Sequence, residues 1–313
     1  MNTIRSKILL VFVLLALLSC LTHAAAIISY PYQGITYISR TETSPRSVNM
    51  HIVLVDLTEP GIRFKLTPPG GSRDTIRQTT LDFLNQEYAQ VAINCHFFLP
   101  FPSDDVNSNV VGLAASQGKV YSPFEPQPIN DGYTDQSYAI IPYAPALNID
   151  PNNKVSIVHH NKAFSDNKQI LEPVKLWNAI SGSAQIITNG AASIPKYVGT
   201  PPVLNSINGY SDNNSWYSIP KPRTVIGLTK DNKTLVLFTV DGVGESQGLS
   251  VREVSELLIH DYKVYNALNL DGGGSTTLAM EDPNTHLGKI MNVSSDNLNG
   301  RAVGSNLAVF AND

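Results

Sequence analysis

The chain has 313 residues, 42% of them hydrophobic and only 15% charged, with a formal net charge of -4 and a pI near 6.0. That apolar content supports a buried core and argues against intrinsic disorder. No Lys/Arg block occurs, which argues against nucleic acid as the main partner, because phosphate neutralisation needs clustered cations.

The N-terminus has the three parts of a secretory signal. Arg5 and Lys7 form a positive end, Ile8 to Leu18 an apolar stretch, and Thr22 to Ala26 a small-residue cleavage zone. Residues 1–24 therefore read as a signal peptide and 25–313 as the exported domain, secreted or periplasmic, with no stable membrane insertion after cleavage. A retained membrane anchor is the competing reading. Leu17-Leu18-Ser19-Cys20 loosely resembles a lipobox, so lipidation at Cys20 is a minor alternative. Removing the signal leaves Cys95 alone, so no internal disulfide can form. Cys95 reads as a small buried residue on a strand rather than a catalytic thiol. Three Asn-x-Ser/Thr sequons begin at Asn213, Asn232 and Asn292.

Downstream, no linker and no repeat is visible. Asn49 to Leu57 alternates apolar and polar residues and reads as a strand. Asp74 to Gln90 places Ile76, Phe83, Leu84 and Tyr88 on a helix face, and Val91 to Phe98 reads as a buried strand. Residues 107–149, rich in Pro, Gly and Asn, suit short strands and loops. Asn178 to Ile187 is strand-like with a glycine break, followed by an Asn189-Gly190 turn. Arg223 to Thr229 and Thr234 to Val240 predict a hairpin across residues 230–233. Ser250 and Glu253 form a capping box, with Val251, Val254, Leu257 and Leu258 as the apolar stripe of the helix it starts. Tyr265 to Leu270 and Asn306 to Ala311 complete the strands. The fold class expected is α+β: a single domain of mixed β-sheets with a few flanking helices.

Chemistry concentrates in Asn269-Leu270-Asp271-Gly272-Gly273-Gly274-Ser275-Thr276-Thr277. An acid ends an apolar strand, and three residues without Cβ follow. Such a run lets backbone N–H groups converge on an anion, with Ser275 and Thr276 adding hydroxyls; a tight turn is the plainer alternative. Asp241-Gly242 ends the preceding strand in the same way. Arg223 offers a planar fork for phosphate or carboxylate. Asn94 interrupts an apolar run, so it either staples backbone or contacts ligand. Glu245 lies in the loop after Asp241. HExxH, paired CxxC, GxxxxGK[ST] and GxSxG are all absent.

Together these segments resemble the phosphodiester glycosidase family. The resemblance rests on Asn94-Cys95-His96-Phe97-Phe98, Pro222-Arg223-Thr224-Val225-Ile226-Gly227, Asp241-Gly242, Gly248-Leu249, Leu270 to Thr277, and Arg301 before the last strand. Order and spacing agree over about residues 90 to 311. His96 replaces the family's usual glycine, placing a titratable ring beside the expected site, and Val243 replaces a residue that is polar in many relatives. The resemblance implies hydrolysis of a sugar-1-phosphodiester at C1–O, on N-acetylglucosamine or another sugar, in a phosphorylated glycan or exopolysaccharide. It implies Asp241 and Asp271 as catalytic carboxylates, with Glu245 the outside candidate for acid/base work. Arg223, Arg301 and Gly272, Gly273, Gly274 and Ser275 would bind phosphate. Asn94, His96, Asn269 and Thr276 would complete the substrate contacts. No cofactor is implied, although an acidic pair near three glycines could instead hold calcium. Two other readings stay open: a non-catalytic surface protein binding phosphorylated or acidic glycans, and a phosphodiesterase using Ser275.

Overall fold

The computed structural model describes residues 24–127, 129–130, 138–198, 203–205, 217–293 and 298–313. Residues 1–23 of the expected signal segment and the Asn213 sequon lie outside them, and Ala24, that segment's expected last residue, opens the first strand.

The centre is an eight-stranded sheet. Its order is Ala24–Tyr32, Ile35–Glu42, Val48–Asp56, Thr234–Val240, Arg223–Thr229, Val264–Asn269, Ala184–Thr188 and Ala191–Ala192. Apolar residues on both faces of the central strands make this sheet an inner layer. Met50, Ile52, Val225, Val236 and Phe238 face one core, which the Val251–Tyr262 helix covers with Val251, Val254 and Leu258. Val53, Val55, Ile226, Leu235, Leu237 and Leu268 face a second core on the other side.

The second core is closed by a five-stranded sheet ordered Gly288–Ile290, Leu278–Glu281, Val91–Asn94, Asn306–Phe310 and Arg63–Leu66. Period-2 alternation explains both of its faces. Val91, Ile93, Leu278, Met280, Leu307 and Val309 point inward, whereas Ala92, Ala279 and Ala308 point outward. Those alanines leave room for the short Thr80–Glu87 helix to seat Phe83 and Leu84. Each side chain of that size removed from water contributes about 1.5–3 kcal/mol. A further five-stranded sheet, Lys119–Ser122, Ala114–Ser116, Asn178–Ser181, Ala146–Ile149 and Val155–Val158, packs Leu147, Ile149 and Ile180 on the same core.

Strand dominates, and two α-helices are present among the described residues. The sheets pair antiparallel, not in the mixed fashion expected from sequence. The hairpin and the capping box form where sequence places them. The first helix is shorter than its pattern. It begins at the Thr79 cap, while Ile76 belongs to a two-residue strand and is exposed. The break within residues 178–187 sends the chain from one sheet to another, because a Cβ on Gly182 would lie 2.0 Å from the Asn269 carbonyl oxygen. No helix among the described residues is long and apolar enough to cross a membrane.

Candidate active site at two Asp-Gly strand ends

The Arg223–Thr229 strand lies between Thr234–Val240 and Val264–Asn269, and both neighbours run antiparallel to it. Both therefore end where it begins. Arg223 pairs with Val240 and Val225 with Asn269, so the chain leaves as Asp241-Gly242 on one side and Asp271-Gly272 on the other. Pro222 sits between these corners. A Cβ on Gly242 would lie 2.4 Å from Pro222 Cδ, and one on Gly272 would lie 2.8 Å from the Pro222 carbonyl oxygen. Glycine is thus required at both corners by backbone approach. The acids stand about two strand spacings apart, ~10 Å.

Asp241 is 1% exposed. Its Oδ1 accepts the Val293 N–H at 2.9 Å, and its Oδ2 lies 3.6 Å from His51 Nε2. Ser246 donates to its main-chain oxygen at 2.7 Å.

Asp271 is half-buried at the opposite corner. Its main chain is pinned by donation to the Cys95 carbonyl (2.9 Å) and by acceptance from Asn94 Nδ2 (2.7 Å). Its carboxyl accepts from the Ser275 hydroxyl and the Gly272 N–H and faces Arg301. Burial outweighs these three and pushes the carboxyl up to about 7. Arg301 Nη1 donates to Ser275 Oγ at 3.1 Å, and its guanidinium lies 4.6 Å above the Phe101 ring. Asp271, Ser275 and Arg301 therefore form one connected group.

The glycine run does not form the open anion nest that sequence suggests. Residues 273–275 close into a 3₁₀ turn. Gly273 N–H donates to the Pro222 carbonyl (3.0 Å), Ser275 N–H to Gly272 (3.1 Å) and Thr276 N–H to Gly273 (3.2 Å). These donors are spent within the fold. Gly273 has φ +58°, with open space where its Cβ would be. Gly274 completes the turn.

Several residues expected at the substrate serve the walls instead. Asn94 is fully buried and acts as a staple: its Oδ1 accepts from Thr224 Oγ1 (2.9 Å) and the Thr277 N–H (3.0 Å), while its amide holds Asp271. Asn269 braces Ser183 Oγ at 3.0 Å and its own neighbour's carbonyl, and its Oδ1 is buried without a partner. Arg223 is 0% exposed; Nε donates to the Leu249 carbonyl (3.2 Å) and Nη2 to that of Ile219 (2.6 Å), so it ties two loops together. His96 is sealed rather than placed beside a ligand. Its Nε2 lies 2.9 Å from the Ser181 main-chain nitrogen and 3.2 Å from the Leu113 carbonyl oxygen, and its Nδ1 lies 2.7 Å from Ser305 Oγ. Burial lowers its pKa to about 4, keeping the ring neutral. Thr276 is buried with its Oγ1 unpartnered. Glu245 is exposed in the turn beyond Asp241.

Sequence reasoning passed over two features and read a third, Asn292, only as a sequon. His51 and Tyr37 stand behind Asp241, the first on a strand whose alternation gives no sign of chemistry, the second on the Ile35–Glu42 strand that the sequence pattern leaves unmarked. Arg77 shares with Arg301, Phe98 and Phe101 a cleft of ≈ 460 Å³ and clamps the loop carrying Phe101 by donating to the Pro100 and Ser103 carbonyls. Asn292 is no accessible sequon: it is 6% exposed and joins Thr276 O to Leu278 N. No cluster of three or more His, Cys, Asp or Glu occurs among the described residues. The acids' partners are N–H, hydroxyl, imidazole and guanidinium groups, an environment of donors unlike the oxygen cage calcium takes.

Comparisons with known proteins agree with this frame. The mouse N-acetylglucosamine-1-phosphodiester alpha-N-acetylglucosaminidase is 29% identical over 118 residues, covering 37% of this chain and 22% of that protein. The human protein of the same name is 33% identical over 101 residues, covering 32% of this chain and 19% of its own length. The chain thus spans about a fifth of these curated relatives. Among solved structures, the zebrafish N-acetylglucosamine-1-phosphodiester alpha-N-acetylglucosaminidase catalytic domain superposes with a TM-score of 0.55 at 20% identity, covering 93% of this chain and 83% of that one. A hypothetical protein from Synechocystis gives 0.58 at 18%, covering 92% and 64%. A profile of the phosphodiester glycosidase family matches residues 89–310, the stretch that carries both Asp-Gly corners, the glycine turn and Arg301. The chain belongs to the phosphodiester glycosidase family.

Proposed function

We propose that this chain is an exported hydrolase that cleaves the C1–O bond of a sugar-1-phosphodiester, releasing free sugar and a phosphate monoester. One observation carries the reading: Asp271, a half-buried acid pushed up to about 7, is locked to Ser275 and faces Arg301 beside a second acid corner. A phosphate monoester is already a fair leaving group, so the demands on the protein are two. It must grip the diester anion, and it must stabilise positive charge growing at C1 while water is deprotonated.

Arg301, the half-exposed cation, takes the phosphate, with the open face of Gly273 allowing close approach. Asp271 in its carboxylate form accepts the proton of the attacking water. The water oxygen bonds to C1 as the C1–O electrons leave with phosphate. Asp241 faces the growing positive charge from the neighbouring corner. Arg223, Asn94, Asn269 and His96 hold the walls. Glu245, on the solvent side, is the remaining acid, and Glu245→Gln tests it.

A panel of sugar-1-phosphodiesters assayed for free reducing sugar tests the activity. In water labelled with oxygen-18 the label should enter the sugar. Label in phosphate would transfer the chemistry to P–O cleavage and to Ser275, which is fully buried beneath Arg301 and badly placed for attack. If the wild type binds these diesters without releasing sugar, the protein is a glycan binder and the hydrolytic reading fails.

A further inference from the structure

Behind Asp241 lies a polar line that the proposed chemistry does not use. Tyr37 Oη is 2.8 Å from His51 Nδ1, and the two ring planes are nearly parallel, 11° apart with centroids 6.2 Å apart. The opposite ring nitrogen, Nε2, points at Asp241 Oδ2 at 3.6 Å. His51 shares its strand face with Val53 and Val55, and Thr239, its register partner on the Asp241 strand, is buried with an unpartnered hydroxyl. A histidine on an apolar face must find polar partners or destabilise the fold. This one finds a phenol on one side and a carboxylate on the other.

We infer that His51 is a positioning residue for Asp241, held by Tyr37 in the tautomer that carries its proton on Nε2. The inference rests on the reading of Asp241 as a catalytic carboxylate. The proton assignment follows from donor arithmetic. A carboxylate only accepts, so the nitrogen facing it carries the hydrogen. In the neutral ring Nδ1 then accepts, and Tyr37 donates. Burial pushes the Tyr37 phenol up against the opposing hydrogen bond of Ser39, and the Asp241 charge adds to the rise, so the phenol keeps its proton. Val293 N–H holds Oδ1, and His51 is the group that faces Oδ2. At 3.6 Å the imidazole contact is about 0.5 Å beyond a hydrogen bond, a gap that a small movement of the carboxylate on substrate binding would close.

The test combines activity and spectroscopy on the full chain. His51→Leu should lower kcat about 10–100-fold with little change in KM, the size of loss seen when an orienting partner is removed. His51→Gln, which keeps an N–H near the Nε2 position, should restore most of that loss. A merely structural histidine would give equal losses for both variants, or none. Ring nitrogen-15 shifts should show the Nε2–H tautomer in the wild type and a mixture in Tyr37→Phe. A wild-type Nδ1–H tautomer, or equal kcat in His51→Leu and wild type, overturns the inference. If the wild type turns over no diester, the catalytic reading fails by itself. The tautomer, and the carbon-13 titration of Asp241 with and without His51, then still decide whether the imidazole holds the carboxylate.

Discussion

The two Asp-Gly corners start from one dipeptide and end as different chemical objects. Both terminate strands beside Pro222, and both need glycine for the same close approach. At the first corner, Asp241 is buried between a main-chain N–H and an imidazole. At the second, Asp271 is half-buried, and burial pushes its carboxyl up to about 7, with the Ser275 hydroxyl on it and Arg301 facing it. Neighbours, not the motif, decide what each acid can do: Asp271, titrating near neutrality, suits proton transfer, and Asp241, enclosed by donors, suits charge stabilisation.

The largest expected effect separates the corners directly. Asp271→Asn should lower kcat by about 10³-fold or more, the range for losing a positioned proton acceptor, while diester binding persists. Asp241→Asn should also be severely impaired, but its residual activity should keep the pH dependence that Asp271→Asn abolishes. Equal pH profiles in both variants would break the comparison. Next in size is Arg301→Ala, expected to lose about 10²-fold in kcat/KM, mostly through KM, because a charge-assisted phosphate contact disappears.

The pH dependence has a definite sign. Burial raises the Asp271 pKa to about 7, so its carboxylate fraction falls as pH drops through 7. Activity that needs the carboxylate should fall on the same limb. Arg301 favours the charged form, so its removal should move that limb to higher pH, measured as the apparent pKa of kcat/KM. A limb that moves down, or none between pH 6 and 8, would remove Asp271 from the proton-accepting role.

Much of this frame was legible because it is local. An apolar run ending in Asp-Gly places an acid at a strand end, and a hairpin followed by a capped helix fixes which strands neighbour each other. What escaped depends on distant partners. His96 looked like a titratable group beside a ligand, and only Ser181 and Ser305, 85 and 209 residues away in sequence, turn it into a neutral wall residue. Asn94 was open between staple and ligand, and contacts to Thr224, Asp271 and Thr277 make it a staple. His51 was hidden in the alternation of its strand, since period 2 gives the face of a side chain but not what faces it. The glycine run misled in a more instructive way. Three missing Cβ atoms suggested a ligand, whereas one of them, at Gly272, makes room for Pro222 and another, at Gly273, permits a left-handed turn.

That distinction between glycines yields the smallest effect and a clean contrast. Gly242→Ala would drive a methyl to 2.4 Å from Pro222 Cδ and 2.8 Å from its backbone nitrogen. Backbone cannot yield as a flexible side chain can, so the corner must open, at a cost of about 1–3 kcal/mol. Gly273→Ala meets nothing within 4 Å and suffers only its φ of +58°, a cost of about 1–2 kcal/mol. Thermal unfolding should therefore show the larger drop for Gly242→Ala. Activity should run the other way per unit of stability lost: the Gly273 methyl projects into the space where the proposed diester must approach, and it should raise KM in a protein that is otherwise nearly intact. If Gly273→Ala left KM unchanged, the phosphate would have to lie away from the glycine turn, and the Asp271 corner would lose its claim to the reacting bond.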